Sequence, residues 1–303
     1  MKKAIRLVLG AGPVFMLMAG CGDGRDAATP PAGASPAVTA SPGRYAQVDG
    51  LKMYYEVHGQ DRGTPLVLLH GSLSGIKSDF GDLLAPLAKT RRVIAIEQQA
   101  HARTGDIDRP LRIEHMAGDT AGLLRQIGVK QADFFGYSTG GQIALELGMR
   151  QPDLVRKLVL ASVTYRPDGL HPGLLQGLRA LKPQALHGST FHQDYQAVAP
   201  EPKNFDQLVE KNKDMQRNLP TLAAKEVRSV KAPALLMIGD SDIVRPEHSV
   251  DMFRLLGGGV NGDMAGLPKS QLAVLPGTSH ISIVHRPELL LATIPAFLDA
   301  PVT

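Results

Sequence analysis

Two kinds of apolar pattern alternate along the chain. Short runs dominated by apolar residues, at Pro65–Leu69, Arg92–Ile96, Ala132–Tyr137, Leu158–Ala161, Ala234–Ile238 and Leu272–Leu275, predict strands buried on both faces of a parallel sheet. Between them Asp82–Lys89, Glu114–Ile127, Gln142–Met149 and Pro287–Leu298 carry apolar residues at helical spacing; Met116, Leu123, Leu124 and Ile127 are the clearest set. Pro287 sits where a proline best opens a helix. Strand and helix in turn imply βαβ units. Ahead of them, the β-rich stretch Leu51–Val57 follows an Asp49-Gly50 turn, so an antiparallel hairpin from about Tyr45 is expected to open the domain. The expected fold class is α/β, a mostly parallel central sheet flanked by helices.

Two stretches break the alternation. From about Val163 to Val230 the chain is rich in Gly, Pro, His and Gln, with helical patches at Leu174–Leu181 and Phe205–Met215. It reads as a helical cap inserted between two strands, or else as a loose excursion without a lid role; a structureless loop of this length would be unusual in a compact domain. At the other break, Lys2, Lys3 and Arg6 precede an apolar stretch, Leu7–Met18, too short to stay in a bilayer as a spanning helix. That is the pattern of a secretory signal. It ends in Leu17-Met18-Ala19-Gly20-Cys21, which resembles the lipobox of bacterial lipoproteins, with Met18 where leucine is usual. Cys21, the single cysteine of the chain, is therefore the expected lipidation site, and a disulfide within one chain is excluded. Residues 22–43 are rich in Ala, Pro, Gly, Ser and Thr without hydrophobic periodicity and should form a flexible tether. The expected organisation is a signal peptide over 1–21, a linker over 22–43, and a catalytic domain over 44–303 with its cap at about 163–230. The protein is expected outside the cytoplasm, held at a membrane through the lipid anchor, or secreted if Cys21 stays unmodified.

Charge removes one class of partner. Lys and Arg number 33 against 29 Asp and Glu, a net of +4 spread without a run of five or more like charges, so nucleic acid is not an expected ligand. No His-Glu-x-x-His segment or cysteine pair supports a metal, and Gly257-Gly258-Gly259 lacks the spacing and lysine of a phosphate-binding loop. No cofactor is expected.

The chemistry concentrates where strands end. Gly136-Tyr137-Ser138-Thr139-Gly140, followed by Gly141, matches the nucleophile-elbow pattern G-x-S-x-G and lies between an apolar strand and an amphipathic helix. A serine hydroxyl is a weak nucleophile at neutral pH; it needs a histidine base, which needs an acid to hold its tautomer. Both follow in chain order after later strands, the acid within Gly239-Asp240-Ser241-Asp242 and the base at His280, which closes Pro276-Gly277-Thr278-Ser279-His280. Thr139, directly after the serine, is placed to give a backbone N–H to the oxyanion that forms on attack.

With these motifs the chain from Tyr45 to Leu298 resembles the α/β-hydrolase superfamily, in its esterase and lipase-like branch. The resemblance implies Asp242, three residues after Gly239, as the acid, with Asp240 the rival. It implies a second oxyanion N–H from the loop His70-Gly71-Ser72-Leu73, Ser72 first and Leu73 second, with His70 as a loop-holding partner. It also equates Glu97–Thr104 with a loop that commonly has glycine where Ala100 and Ala102 stand, so those alanines must avoid φ > 0 or tolerate strain. His101 and Arg103 could meet a polar substrate at the mouth or serve the loop alone. Members that break carbon–halogen or epoxide bonds carry aspartate at the elbow, which this chain does not. The implied activity is serine hydrolysis of a small-molecule carboxylic ester or lactone, with amide, thioester or carbon–carbon cleavage open on the same residues. The reading of another class is an envelope-anchored binding protein that has kept the fold and lost the chemistry.

Overall fold

The computed structural model describes residues 43–302; Cys21 and the predicted signal and tether up to residue 42 lie outside the described residues. Eight strands form one sheet: β1 (Arg44–Val48), β2 (Leu51–His58), β3 (Leu66–Leu69), β4 (Val93–Ile96), β5 (Ala132–Tyr137), β6 (Val155–Ala161), β7 (Ala234–Ser241) and β8 (Gln271–Ser279). Their order is β1-β2-β4-β3-β5-β6-β7-β8. The β1–β2 hairpin joins the rest antiparallel through β2 and β4, and β3 to β8 are parallel.

The apolar runs of β3 and β4 are buried on both faces as anticipated, whereas Leu272–Leu275 lies in the edge strand β8, where Val274 is 51% exposed. In β3, Val67 and Leu69 face α2 (Ile113–Gln126) and α3 (Thr139–Arg150), while Leu66 and Leu68 face α1 (Ile76–Ala88) and α10 (Pro287–Asp299). Alternate residues of β4, β5 and β6 divide in the same way, so each face of the sheet has its own core. On the second face Phe80 meets Phe135 edge-on at 5.3 Å. Two helices start earlier than their apolar spacing predicts. Helix α1 begins at Ile76, six residues before Asp82, because Ser78 Oγ accepts the Gly75 N–H and closes a first turn that is polar in sequence. Helix α3 begins at Thr139, immediately after the elbow.

Between β6 and β7 the chain forms α4 (Leu174–Ala180), α5 (Thr190–Val198), α6 (Phe205–Arg217) and α7 (Ala224–Arg228). Phe205, Leu208, Val209 and Met215 of α6 are buried against the first core face. Helix α6 is also tied to the loop after β4: Lys211 Nζ donates to the carbonyls of Ile107 and Arg109, both at 3.0 Å, and Asp214 accepts from Arg112 at 2.8 Å. Helices α8 (Pro246–Leu255) and the short α9 (Gly262–Ala265) lead into β8. Lys157 of β6 is buried at 1% exposure because its ammonium caps the end of α10, donating to Phe297 O at 2.7 Å, Leu298 O at 3.2 Å and Ala300 O at 2.5 Å.

Candidate active site

All the candidate residues of the described domain collect at the carboxyl ends of the parallel strands. Ser138 ends β5 with φ 52° and ψ −117°, a conformation that an L-residue holds only when its surroundings enforce it. Two close approaches do so. A Cβ at Gly140 would lie 2.0 Å from Leu69 O, and one at Gly136 would lie 2.3 Å from Gly140 O, so strand, turn and helix meet at distances that admit no side chain. The glycines of the motif are therefore a packing requirement.

His280 Nε2 lies 3.0 Å from Ser138 Oγ, and His280 Nδ1 lies 2.8 Å from Asp242 Oδ1. The buried Asp242 also accepts Val244 N–H at 3.1 Å on Oδ1 and the Ser162 hydroxyl at 2.5 Å on Oδ2. Burial pushes its pKa up; the hydrogen bonds from His280, Ser162 and Val244 and the nearby imidazole charge outweigh this and hold it below the usual carboxylate range. An acceptor-only Asp242 makes Nδ1 the protonated nitrogen of His280 and leaves the Nε2 lone pair toward Ser138. The structure separates the two rival acids. Asp240 is exposed and accepts the backbone N–H groups of Gly277 at 2.9 Å and Thr278 at 3.1 Å, so it braces the turn inside β8 and does not reach His280.

Three supporting residues carried no signal in the sequence pattern. Ser162, just past β6 at φ 56°, positions Asp242. The Tyr137 hydroxyl donates to the His280 carbonyl at 2.9 Å and fixes the base's backbone against the elbow. Asp79 of α1 accepts Gly71 N–H at 2.8 Å and the Ser74 hydroxyl at 2.6 Å, gathering both ends of the loop that contains Ser72. Burial raises the Asp79 carboxyl to about 6 against these hydrogen bonds. A strand-end serine or a helical aspartate is common, and only the fold reveals what each faces.

The loop over residues 70–74 passes directly against the nucleophile: a Cβ at Gly71 would lie 2.9 Å from the Tyr137 ring and 3.5 Å from Ser138 Cβ. Leu73 turns it at φ 61°. Ser72 Oγ and Thr139 Oγ1 are 2.7 Å apart across 67 residues of sequence. Among the described residues no acceptor takes the backbone N–H of Ser72 or of Thr139. His70 is a structural partner: its Nε2 accepts Gln98 N–H at 3.0 Å, so Nδ1 carries the proton and donates to Gly71 O at 2.7 Å. Burial lowers its pKa to about 3 and keeps it neutral.

Ala100 and Ala102 do not avoid the left-handed region; they occupy it at φ 65° and 47° and bear the strain. Glu97 holds this loop, accepting Arg103 N–H at 2.7 Å and the Arg103 guanidinium at 2.6 Å. Burial raises Glu97 to about 7, opposed mainly by the Arg103 charge. His101, buried and lowered by burial to about 4, donates from Nδ1 to Gln99 O at 2.8 Å and faces Asn212 of α6. Both His101 and Arg103 thus serve the loop. Between it, Leu73 and α5 lies a cavity of about 50 Å³ bordered by Ala102, Arg103, Tyr195 and Val198.

Among the described residues there is no cluster of histidine, cysteine and carboxylate side chains able to hold a metal, and no helix long and apolar enough to cross a membrane. The sequence profile of the alpha/beta hydrolase fold matches residues 64–287. A putative carbamate hydrolase RutD of Azorhizobium caulinodans is 34% identical over 125 residues, a match covering 41% of this chain and 46% of that protein. The chain thus spans about half the length of the carbamate hydrolases it matches. The sn-1-specific diacylglycerol lipase ABHD11 of Mus musculus is 25% identical over 286 residues, 84% of this chain and 87% of that one. Among solved structures, the enol-lactonase from Burkholderia xenovorans superposes with a TM-score of 0.64 at 22% identity, covering 85% of this chain and all of its own.

Proposed function

The chain belongs to the alpha/beta hydrolase fold family, and from that premise we propose that it is a hydrolase that cleaves a carboxylic ester or lactone through an acyl-serine intermediate. The observation that carries this reading is the unbroken relay from Asp242 Oδ1 through His280 to Ser138 Oγ, with links of 2.8 and 3.0 Å. Ser138 Oγ bonds to the carbonyl carbon as its proton passes to His280 Nε2, and the carbonyl π pair moves onto oxygen. The N–H groups of Ser72 and Thr139 receive that oxyanion. Collapse restores the carbonyl and expels the alkoxide, which takes the proton from His280. Water, deprotonated by the same nitrogen, then releases the acid and returns Ser138. Asp242 stabilises the imidazolium in both halves. Beyond substrate and water, each step uses groups the chain itself supplies.

An ester or lactone is favoured because the relatives include a diacylglycerol lipase and one fold neighbour is an enol-lactonase. The relay also supports an enzyme over an inert binding protein, since a binder has no use for a histidine aligned on an unacylated serine. The test is labelling by a fluorophosphonate together with turnover of a small aryl ester, before and after Ser138→Ala. Both should vanish in the variant; full turnover by Ser138→Ala would sink the mechanism. A screen across short esters, long esters, lactones and macrolides then identifies the acyl group.

A further inference from the structure

The two residues whose amides await the oxyanion also carry hydroxyls, and those hydroxyls lie on each other at 2.7 Å. Ser72 comes from the loop after β3 and Thr139 from the first position of α3, and among the described residues neither side chain bonds to any other group. Each hydroxyl has one proton to give. Their mutual bond consumes one proton, whichever of them donates, and leaves the other without an acceptor in the protein. Thr139 is buried at 4% exposure, with Ser72 Oγ as its hydrogen-bond partner, whereas Ser72 is half-buried at the surface of the cleft. The arrangement that leaves no buried proton unpaired has Thr139 donating to Ser72 Oγ and the Ser72 proton facing the cleft.

What it would face there follows from the path of the loop. Gly71, the residue before Ser72, lies so close to the elbow that its absent Cβ would touch the Tyr137 ring and Ser138 Cβ. Ser72, the next residue along, is thereby held next to the elbow that carries Ser138. Its hydroxyl and its N–H, with the N–H of Thr139, make three unpaired donors within two residues of facing chain. Three donors suit an oxygen that carries a full negative charge and three lone pairs, more than they suit a ground-state carbonyl with two. A donor that is satisfied only by the transition state accelerates the chemical step without tightening substrate binding.

We propose that the Ser72 hydroxyl is a catalytic residue, the third donor of the oxyanion hole, and that the Thr139 hydroxyl is its positioning residue. Donation from Thr139 polarises Ser72 Oγ–H and fixes its rotamer, so the donor is in place before charge develops. The assignment rests on the acyl-transfer reading above and adds a side-chain group to the two backbone ones.

The test measures kcat and KM on one small aryl ester, and inhibition by an aryl trifluoromethyl ketone, whose serine adduct bears the oxyanion. Ser72→Ala should lower kcat by about 30- to 100-fold with KM within about twofold, and weaken the ketone in proportion. Thr139→Val should lower kcat by about tenfold, and the double variant should be no worse than Ser72→Ala, because Thr139 acts only through Ser72. Ser72→Thr should restore most of the rate. Should Ser72→Ala fail to fold, Ser72→Cys, a poorer donor of similar size, should give an intermediate loss. An active wild type whose Ser72→Ala variant keeps its kcat, or loses only in KM, overturns the assignment alone. A wild type that neither hydrolyses the ester nor takes a fluorophosphonate overturns the hydrolase reading and this assignment with it.

Discussion

Asp242→Asn removes the charge of the acid and keeps its shape, and the surroundings of Asp242 determine how the amide must lie. Oδ1 receives two N–H donors, from His280 at 2.8 Å and Val244 at 3.1 Å, so only an amide oxygen fits that position. Oδ2 faces the Ser162 hydroxyl at 2.5 Å, which can rotate to accept from an NH2 group as readily as it now donates. All three neighbours favour one orientation, and in it His280 keeps its Nδ1 proton and its free Nε2. The loss is then confined to charge. A hydrogen bond to a charged acceptor is roughly twice as strong as a neutral one, and with the lost attraction to the imidazolium the deficit comes to about 2–3 kcal/mol. That corresponds to a fall of roughly 30- to 150-fold in kcat/KM. Where the substituted amide is instead forced to donate to the imidazole, the tautomer inverts and the loss is about 10⁴-fold. Aryl-ester kinetics near neutral pH distinguish the two. A loss near the larger figure would refute the orientation argument, and with it the role given to Ser162.

Two further outcomes concern stability. Burial lifts Asp79 to about 6 from 3.8, so between those values the folded state binds the proton more readily than the unfolded chain, and stability should fall as pH rises from about 4 to about 6. The shift is worth about 3 kcal/mol; in urea titrations across that window the wild type should lose about this much relative to Asp79→Asn, and parallel pH curves would contradict it. Lys157→Met leaves the carbonyls at the end of α10 without their cap and should cost about 2–3 kcal/mol with kcat on the aryl ester unchanged, because the ammonium faces Phe297, Leu298 and Ala300 at the far end of the sheet from Ser138. A variant as stable as the wild type would show that those carbonyls find other partners.

The sheet was legible because strands buried on both faces are largely apolar, and Leu66–Leu69 or Ala132–Tyr137, apolar but for Asp133, admit few other readings. Ser138 and His280 were legible because each follows a strand, Ser138 the buried β5 and His280 the edge strand β8, and chain order brings them to the same end of a parallel sheet. The choice between Asp240 and Asp242 could not come from their two-residue spacing, since both lie at the end of β7 and only the direction of the turn sends one carboxylate inward. The strain at Ala100 and Ala102 was equally hidden, because the residue type argues against the conformation that Glu97 and Arg103 impose. Helix α1 was underestimated because its first turn is stabilised by local hydrogen bonds, which leave no hydrophobic signature. Asp79 and Ser162 lie beyond any local pattern: their partners are eight and eighty residues away.

The bond from Tyr137 to the His280 carbonyl joins positions 143 residues apart, and that separation has a consequence for the chain as it is made. Nucleophile and oxyanion loop belong to the first half of the polypeptide, acid and base to its last quarter. A ribosome-bound chain that has emerged only as far as α7 lacks both Asp242 and His280, and without a base a serine is an ordinary alcohol. The relay is completed only by the chain from residue 234 onward, when β7 and β8 dock beside strands already in place. The order of synthesis thus withholds Asp242 and His280 from Ser138 until the sheet is nearly complete.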